Sequence, residues 1–183
     1  MSGKEVMSFF CAQLKTAHQL LEGTMADVTV EMAHWSPAGL AHPVGANYAH
    51  VVFAEDGMVN RMLKGGAPLF WGALGGKAGV SELPPMPNPQ APGFPDWSAW
   101  ARRVRIDPGI LRPYGQAVFA SSEAYCGSLR DDDLNRSIDL SILGLGKSTL
   151  RFLPVNGLQG HALTHCGEIA CLKGLQGKKG YPL

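Results

Sequence analysis

Two histidines near the end of the chain, His161 and His165, are the residues whose type and spacing most clearly suggest chemistry. On an α-helix, where each residue turns by about 100°, both imidazoles and the carboxylate of Glu168 fall on one face. Leu158 and Ile169 flank that face, so we expect it to point toward the protein interior. Two imidazoles four residues apart can hold one divalent ion if other elements supply further ligands. The alternative is an ordinary amphipathic helix with two partly buried, hydrogen-bonded histidines.

A third histidine, His50, lies inside another predicted helix, which begins at Pro43 and ends near Lys64. Small residues surround His50 on the helical wheel and leave room for an ion or a ligand. Glu55 falls on the apolar side of the same helix, where a carboxylate needs a partner. That partner is expected to be Arg61 or a group on a neighbouring helix.

The elements that must position these residues are predicted to be helices. Apolar residues recur at helical spacing in the first segment, and Asp107-Pro108 predicts a break within the third. Residues 138–150 are expected to form a packed connector, and His34 and His42 fall in a predicted loop that could border a site. The four helical segments are predicted over residues 4–23, 43–64, 97–129 and 155–175. An all-α four-helix bundle over 1–183, as a single domain, is the expected fold.

A long segment between the second and third helices, residues 65–95, has a different composition. It contains seven of the chain's 23 glycines and seven of its 13 prolines, so we expect a crossover loop. Phe70 and Trp71 could make this loop a lid over a site, or could anchor it to the bundle surface.

The bulk composition excludes several functions. The formal net charge is +1, and basic residues form no cluster of the kind that binds a phosphate backbone, so we expect no nucleic acid partner. No apolar run is long enough to span a membrane, and the first residues lack the layout of a signal peptide. The four cysteines have no CxxC spacing. These features predict a cytoplasmic protein with no membrane partner.

Two other kinds of metal site do not fit the spacing. The segment from His161 to His165 lacks the glutamate of the HExxH motif, and the paired Glu-x-x-His motifs of di-iron bundles are absent. A site of three histidines on two helices, which leaves positions open for water or substrate, remains compatible with the chain.

Several motifs together resemble one known family, the DinB/YfiT-like superfamily of four-helix metalloproteins, over most of the chain. The resemblance lies in Trp35-x-Pro37, the stretch from Gly45 through His50 to Asp56, the stretch from Leu129 to Leu134, His161-x-x-x-His165-x-Gly167-Glu168, and the ending Gly174 to Pro182. It implies a bundle with a long crossover after the second helix. It also implies a divalent metal ion held by His50, His161 and His165, often in a homodimer.

Characterised relatives resemble thiol-dependent S-transferases and isomerases, so the resemblance implies a small-molecule substrate and a low-molecular-weight thiol. The first hypothesis is therefore a metal-dependent thiol S-transferase. A metal-dependent hydrolase and a non-catalytic metal-binding scaffold are the alternatives. Imidazole ligands suit zinc, nickel, copper or iron. Glu168 is the candidate catalytic residue, and Glu55 is a further candidate for a supporting role.

Overall fold

The structure, a computed structural model, describes residues 3–71 and 77–183 and is mostly helical. The α-helices in these residues are α1 (Glu5–Met25), α2 (Val30–His34), α3 (Val44–Asp56), α4 (Ser98–Arg103), α5 (Pro108–Ser128) and α6 (Gln159–Leu175). Two short antiparallel strands, β1 (Ser137–Asp139) and β2 (Lys147–Thr149), pair with Ile138 opposite Ser148. The all-α prediction is confirmed. No helix in the described part of the chain is long and apolar enough to cross a membrane.

The four long helices form a bundle in which α1 and α3 occupy opposite corners. Helix α1 packs against α5 and α6, and α3 packs against the same two helices. Ten of the 13 residues of α3 are buried. Polar side chains on α3 therefore have to find partners inside the bundle, because a buried polar group without a hydrogen bond is costly.

Several predicted boundaries agree with the structure, and others move. The second predicted helix continues past α3 as a π-helical segment, Gly57–Leu63, and Gly65 follows with a left-handed φ of 68°. The predicted break in the third helix separates α4 from α5. There Asp107 caps α5 by accepting a hydrogen bond from the backbone N–H of Gly109 at 2.9 Å.

The structure refines two predictions about the last third of the chain. The connector 138–150 contains the β1–β2 hairpin, whose strands are too short for alternation to be visible in the sequence. The last helix begins at Gln159 rather than 155, because a π-helical turn occupies Leu153–Gly157. Leu158 then breaks the helical path with φ −130° and ψ −79°.

The crossover segment is fixed to the bundle at two points, although residues 72–76 of the predicted loop lie outside the described residues. Near its start, the carboxylate of Asp56 accepts hydrogen bonds from the backbone N–H groups of Leu69 at 3.0 Å and Phe70 at 3.4 Å. Near its middle, the carbonyl oxygen of Glu82 accepts a hydrogen bond from the Trp100 indole at 3.0 Å. Both contacts lie on buried parts of the bundle, so the segment follows a defined path across it.

Candidate metal centre

Three imidazoles meet between helices α3 and α6. His50 on α3 and the pair His161 and His165 on α6 each place a ring nitrogen so that the three nitrogens lie within 4.8 Å of one another. The Nε2 atoms of His50 and His161 are 3.1 Å apart. The ring centroids are 4.7–5.0 Å apart, and the rings meet edge to face.

The packing of α6 explains why its two histidines point to this place. Leu158, Ala162, Cys166 and Ile169 are fully buried and fix the rotation of the helix against α1 and α3. The two histidines lie beside this stripe, one turn apart, with their rings directed toward α3. The structure thus brings together the three histidines that the sequence singled out.

Burial keeps two of these imidazoles neutral. Desolvation, followed by the charges of neighbouring histidines, lowers the pKa of His50 to about 3. The same two causes lower the pKa of His161 to about 4. Both rings are therefore uncharged near neutral pH. A neutral imidazole has a free nitrogen lone pair, which is the form that binds a metal ion.

His165 is oriented by a carboxylate. Its Nδ1–H donates to Oε2 of Glu168 at 2.7 Å, one helical turn further along α6. This hydrogen bond leaves Nε2 as the nitrogen with the free lone pair. The bond to His165 lowers the pKa of Glu168, whose side chain is 51% exposed. A carboxylate that accepts the second N–H of a histidine is the usual companion of a metal-ligating imidazole.

Trp97 and His42 border the site, and the sequence did not predict the role of Trp97. The indole of Trp97, just before α4, stacks on the His50 ring at 4.3 Å between centroids and 7° between planes. His42 lies against the same indole at 4.3 Å. Trp97 is 47 residues from His50 in sequence, and no helical or strand period connects them. The only sequence feature that could have drawn attention to Trp97 is its place at the start of a helix, directly after a proline-rich loop.

Glu55 does not take part in the site. Its partner is His18 on α1, with Nε2 of the imidazole 3.3 Å from Oε2 of Glu55, and not Arg61. His34 is also engaged elsewhere, because its Nε2 accepts the backbone N–H of Ile106 at 2.9 Å. Of the two histidines predicted to lie in a loop, His42 lies beside the site, whereas His34 ends helix α2 and does not contact the site.

The three-histidine cluster fits a divalent ion. Zinc–nitrogen bonds of about 2.0 Å in tetrahedral geometry place two ligand nitrogens about 3.3 Å apart. The 3.1 Å separation between the Nε2 atoms of His50 and His161 is close to this value. This pair of nitrogens therefore requires little rearrangement to receive an ion. Three imidazole ligands would leave further coordination positions open to a small molecule.

Comparison with known proteins agrees with this fold. Residues 13–169 match the model of the DinB superfamily, and the chain belongs to that superfamily. A solved structure, described as the crystal structure of the conserved protein of locus from Enterococcus faecalis, superposes with a TM-score of 0.76 at 22% sequence identity. The match covers 94% of this chain and 98% of that one, so the two share the fold. A search of curated proteins found no match.

Proposed function

We propose that the protein is a divalent-metal-dependent enzyme that transfers a low-molecular-weight thiol to a small electrophilic substrate. The observation that carries the proposal is the convergence of three imidazole nitrogens within 4.8 Å, on two helices, in a member of the DinB superfamily. Imidazoles alone do not select among zinc, nickel and iron. An ion held there would lower the pKa of a thiol bound to it and so make the sulfur nucleophilic at neutral pH.

The protein residues would bind the ion and orient its ligands without forming a covalent bond to the substrate. His50 and His161, kept neutral by burial, offer lone pairs without first losing a proton. Glu168 fixes the ring of His165 through the 2.7 Å hydrogen bond. The indole of Trp97 covers one face of His50 and keeps water from that side. The thiolate sulfur would then form a bond to carbon as a leaving group such as chloride departs.

The position of Glu168 supports thiol transfer over metal-assisted hydrolysis. Hydrolysis at a single ion is faster when a general base is free to take a proton from the bound water. Glu168 is committed to His165, and that hydrogen bond lowers the pKa of its carboxyl, so it is a weak base. We therefore propose that Glu168 is a positioning residue rather than the catalytic base. Thiol transfer needs no such base, because the thiol proton can pass directly to solvent.

The proposal extends to the setting of the reaction. Cys11, Cys126, Cys166 and Cys171 are free thiols, which suits the reducing cytoplasm where low-molecular-weight thiols are abundant. We also propose a homodimer, from the resemblance to the superfamily. Light scattering that gives the mass of one chain would contradict the dimer and leave the metal centre untouched.

Metal analysis tests the centre first. Purified protein is expected to bind about one zinc, nickel or iron ion per chain. His50→Ala is expected to abolish most of this binding, as are His161→Ala and His165→Ala. His34→Gln is the matched control, because His34 contacts Ile106 and not the cluster. Wild-type protein that takes up no ion after dialysis against each of these metals would overturn the centre.

A thiol screen then tests the reaction. Metal-loaded protein is mixed with glutathione, bacillithiol, mycothiol or coenzyme A and with a chloro-aromatic or epoxide acceptor. Conjugate formation that requires both the ion and one thiol is the expected result. Metal-dependent cleavage of an ester or amide without thiol would support the hydrolase instead. Metal binding with neither reaction would support a non-catalytic metal-binding protein.

A further inference from the structure

The side chain of Trp97 makes the closest aromatic contact of the metal centre. Its indole lies 4.3 Å from the His50 ring and within 7° of parallel to it, whereas the His161 and His165 rings meet His50 edge to face. A parallel stack fixes the plane of an imidazole, because rotation of the ring about its Cβ–Cγ bond breaks the contact. The plane of the His50 ring is therefore set by Trp97.

The two helices hold their histidines in different ways. Glu168 on α6 accepts the Nδ1–H of His165 and so orients that ring. Over residues 3–71 and 77–183, no such acceptor meets Nδ1 of His50, whose one hydrogen bond runs through Nε2 to His161. A metal-ligating histidine normally needs a group that fixes its orientation. At His50 that group is an aromatic face instead of a carboxylate.

We propose that Trp97 is the positioning residue of His50, and that through it the crossover segment and α4 are coupled to occupancy of the metal centre. This inference rests on the proposed metal centre. It assigns Trp97 no contact with the reacting atoms. Its effect would be to hold the imidazole in the plane from which Nε2 can bind an ion.

The coupling follows from the way in which Trp97 is held. The carbonyl oxygen of Trp97 accepts the backbone N–H of Ala101 in α4 at 2.8 Å, and the Trp100 indole donates to the carbonyl oxygen of Glu82 in the crossover segment. Trp97 therefore moves with α4 and with the part of the crossover segment around Glu82. If the stack favours metal binding, metal binding must favour the docked position of α4 by the same factor.

Metal affinity of Trp97 variants tests the first half of the proposal. Trp97→Leu keeps an apolar side chain without an aromatic face, and Trp97→Phe keeps a smaller face. Loss of a stacked aromatic pair is expected to weaken the affinity of Trp97→Leu for Zn²⁺ about two- to tenfold. The affinity of Trp97→Phe should lie closer to that of wild type. The matched control is Trp71→Leu, because Trp71 is 55% exposed and contacts Phe70 instead of the cluster.

Zn²⁺ affinity is measured by competition with a chromophoric chelator, and the visible absorption of Co²⁺-loaded protein reports the ligand geometry. Thermal unfolding of each metal-free variant verifies that it is folded. Trp97→Leu with wild-type Zn²⁺ affinity and an unchanged Co²⁺ spectrum would overturn the inference and leave the metal centre standing. Wild-type protein that binds neither ion would overturn the centre itself, and the role of Trp97 with it.

Hydrogen exchange tests the second half. Addition of Zn²⁺ to wild-type protein is expected to slow exchange of the α4 amides, and to slow it by a smaller factor in Trp97→Leu. Exchange in α4 that does not respond to Zn²⁺ in wild-type protein would overturn the coupling, whatever the affinities show.

Discussion

The Nε2 atom of His18 on α1 lies 3.3 Å from Oε2 of Glu55 on α3, and these side chains are only 3% and 1% exposed. On the opposite edge of the ring, Nδ1 of His18 lies 2.9 Å from Oε1 of Glu123 on α5. Phe119 stacks on the ring at 4.2 Å. An imidazole with a carboxylate at each nitrogen is best satisfied when it donates from both, so the geometry favours the imidazolium form of His18, which links three helices of the bundle.

This arrangement predicts a raised pKa for His18. Burial by itself lowers the pKa, but the hydrogen bonds and negative charges of Glu55 and Glu123 outweigh it. In wild-type protein the imidazole C–H resonances of His18, followed by NMR, are expected to titrate above the ordinary value of about 6.5. Glu55→Gln keeps the shape and removes one charge, so it should lower this pKa. A His18 that titrates at or below 6.5 in wild-type protein would contradict the imidazolium.

The sign of the linked stability change follows from that shift. A histidine whose folded pKa is raised contributes stability that is complete below its unfolded pKa, about 6.5, and is lost as pH rises through the folded value. Removal of the cation leaves Glu55 buried without an opposite charge, so His18→Gln is expected to cost about 3 kcal/mol at pH 6. Urea unfolding at pH 6 measures this loss. His34→Gln, made at a histidine bonded to a backbone N–H, is the comparison.

The metal-free cluster predicts the opposite behaviour on the acid side. Burial first, then neighbouring histidines, lower the pKa of His50 to about 3 and of His161 to about 4. Below about pH 6.5 these two histidines bind protons in the unfolded chain, whereas in the folded chain the buried rings stay unprotonated. The free energy of unfolding therefore falls as the pH is lowered. The slope is at most about 1.4 kcal/mol per pH unit for each group. In urea titrations of chelator-treated protein from pH 7 to pH 4.5, His161→Gln should reduce this slope. Equal slopes in the two proteins would rule out a neutral, buried His161.

The sequence allowed the helices and the three histidines to be predicted because both signals are local. Helical spacing places His161 and His165 on one face, and the apolar pattern around His50 indicates a buried helix. That α3 and α6 are neighbours in the bundle is not visible in that spacing. The resemblance to the superfamily supplied the link between them.

The features that the sequence did not reveal depend on contacts between distant residues. His18 and Glu123 are 105 positions apart, and neither lies in a motif that predicts a partner for the other. Trp97 follows a proline-rich segment without a hydrophobic period, so nothing in the sequence relates it to His50. Glu55 could be recognised as a buried carboxylate that needs a partner. Helix α1 packs against α5 and α6 and lies diagonally opposite α3. His18 on α1 therefore reaches Glu55 on α3, and Arg61 is not the partner.

The anchor of the crossover segment gives a further prediction. The buried carboxylate of Asp56 accepts hydrogen bonds from the Tyr114 hydroxyl at 2.7 Å, the Asn60 amide at 2.8 Å and the backbone N–H of Leu69 at 3.0 Å. Asp56→Asn places an NH₂ group against these donors, so we expect a loss of about 2–3 kcal/mol in unfolding free energy. Faster hydrogen exchange at residues 69 and 70 should accompany it. Asp132→Asn, at an exposed position, is the control, and equal stability of the two variants would contradict the anchor.

The bond between Glu168 and His165 gives the last prediction, which separates orientation from charge. Glu168→Ala removes the acceptor of the His165 Nδ1–H, whereas Glu168→Gln keeps an amide oxygen that can accept the same hydrogen bond. Loss of such a partner typically weakens metal binding by about 10- to 100-fold. We expect Glu168→Ala to fall in this range and Glu168→Gln to retain most of the affinity for Zn²⁺, as measured by chelator competition. Glu5→Gln, at an exposed position in the first turn of α1, is the charge-matched control. If Glu168→Ala binds Zn²⁺ as tightly as wild type, the Glu168 carboxylate does not position His165 and is only a surface residue near the site.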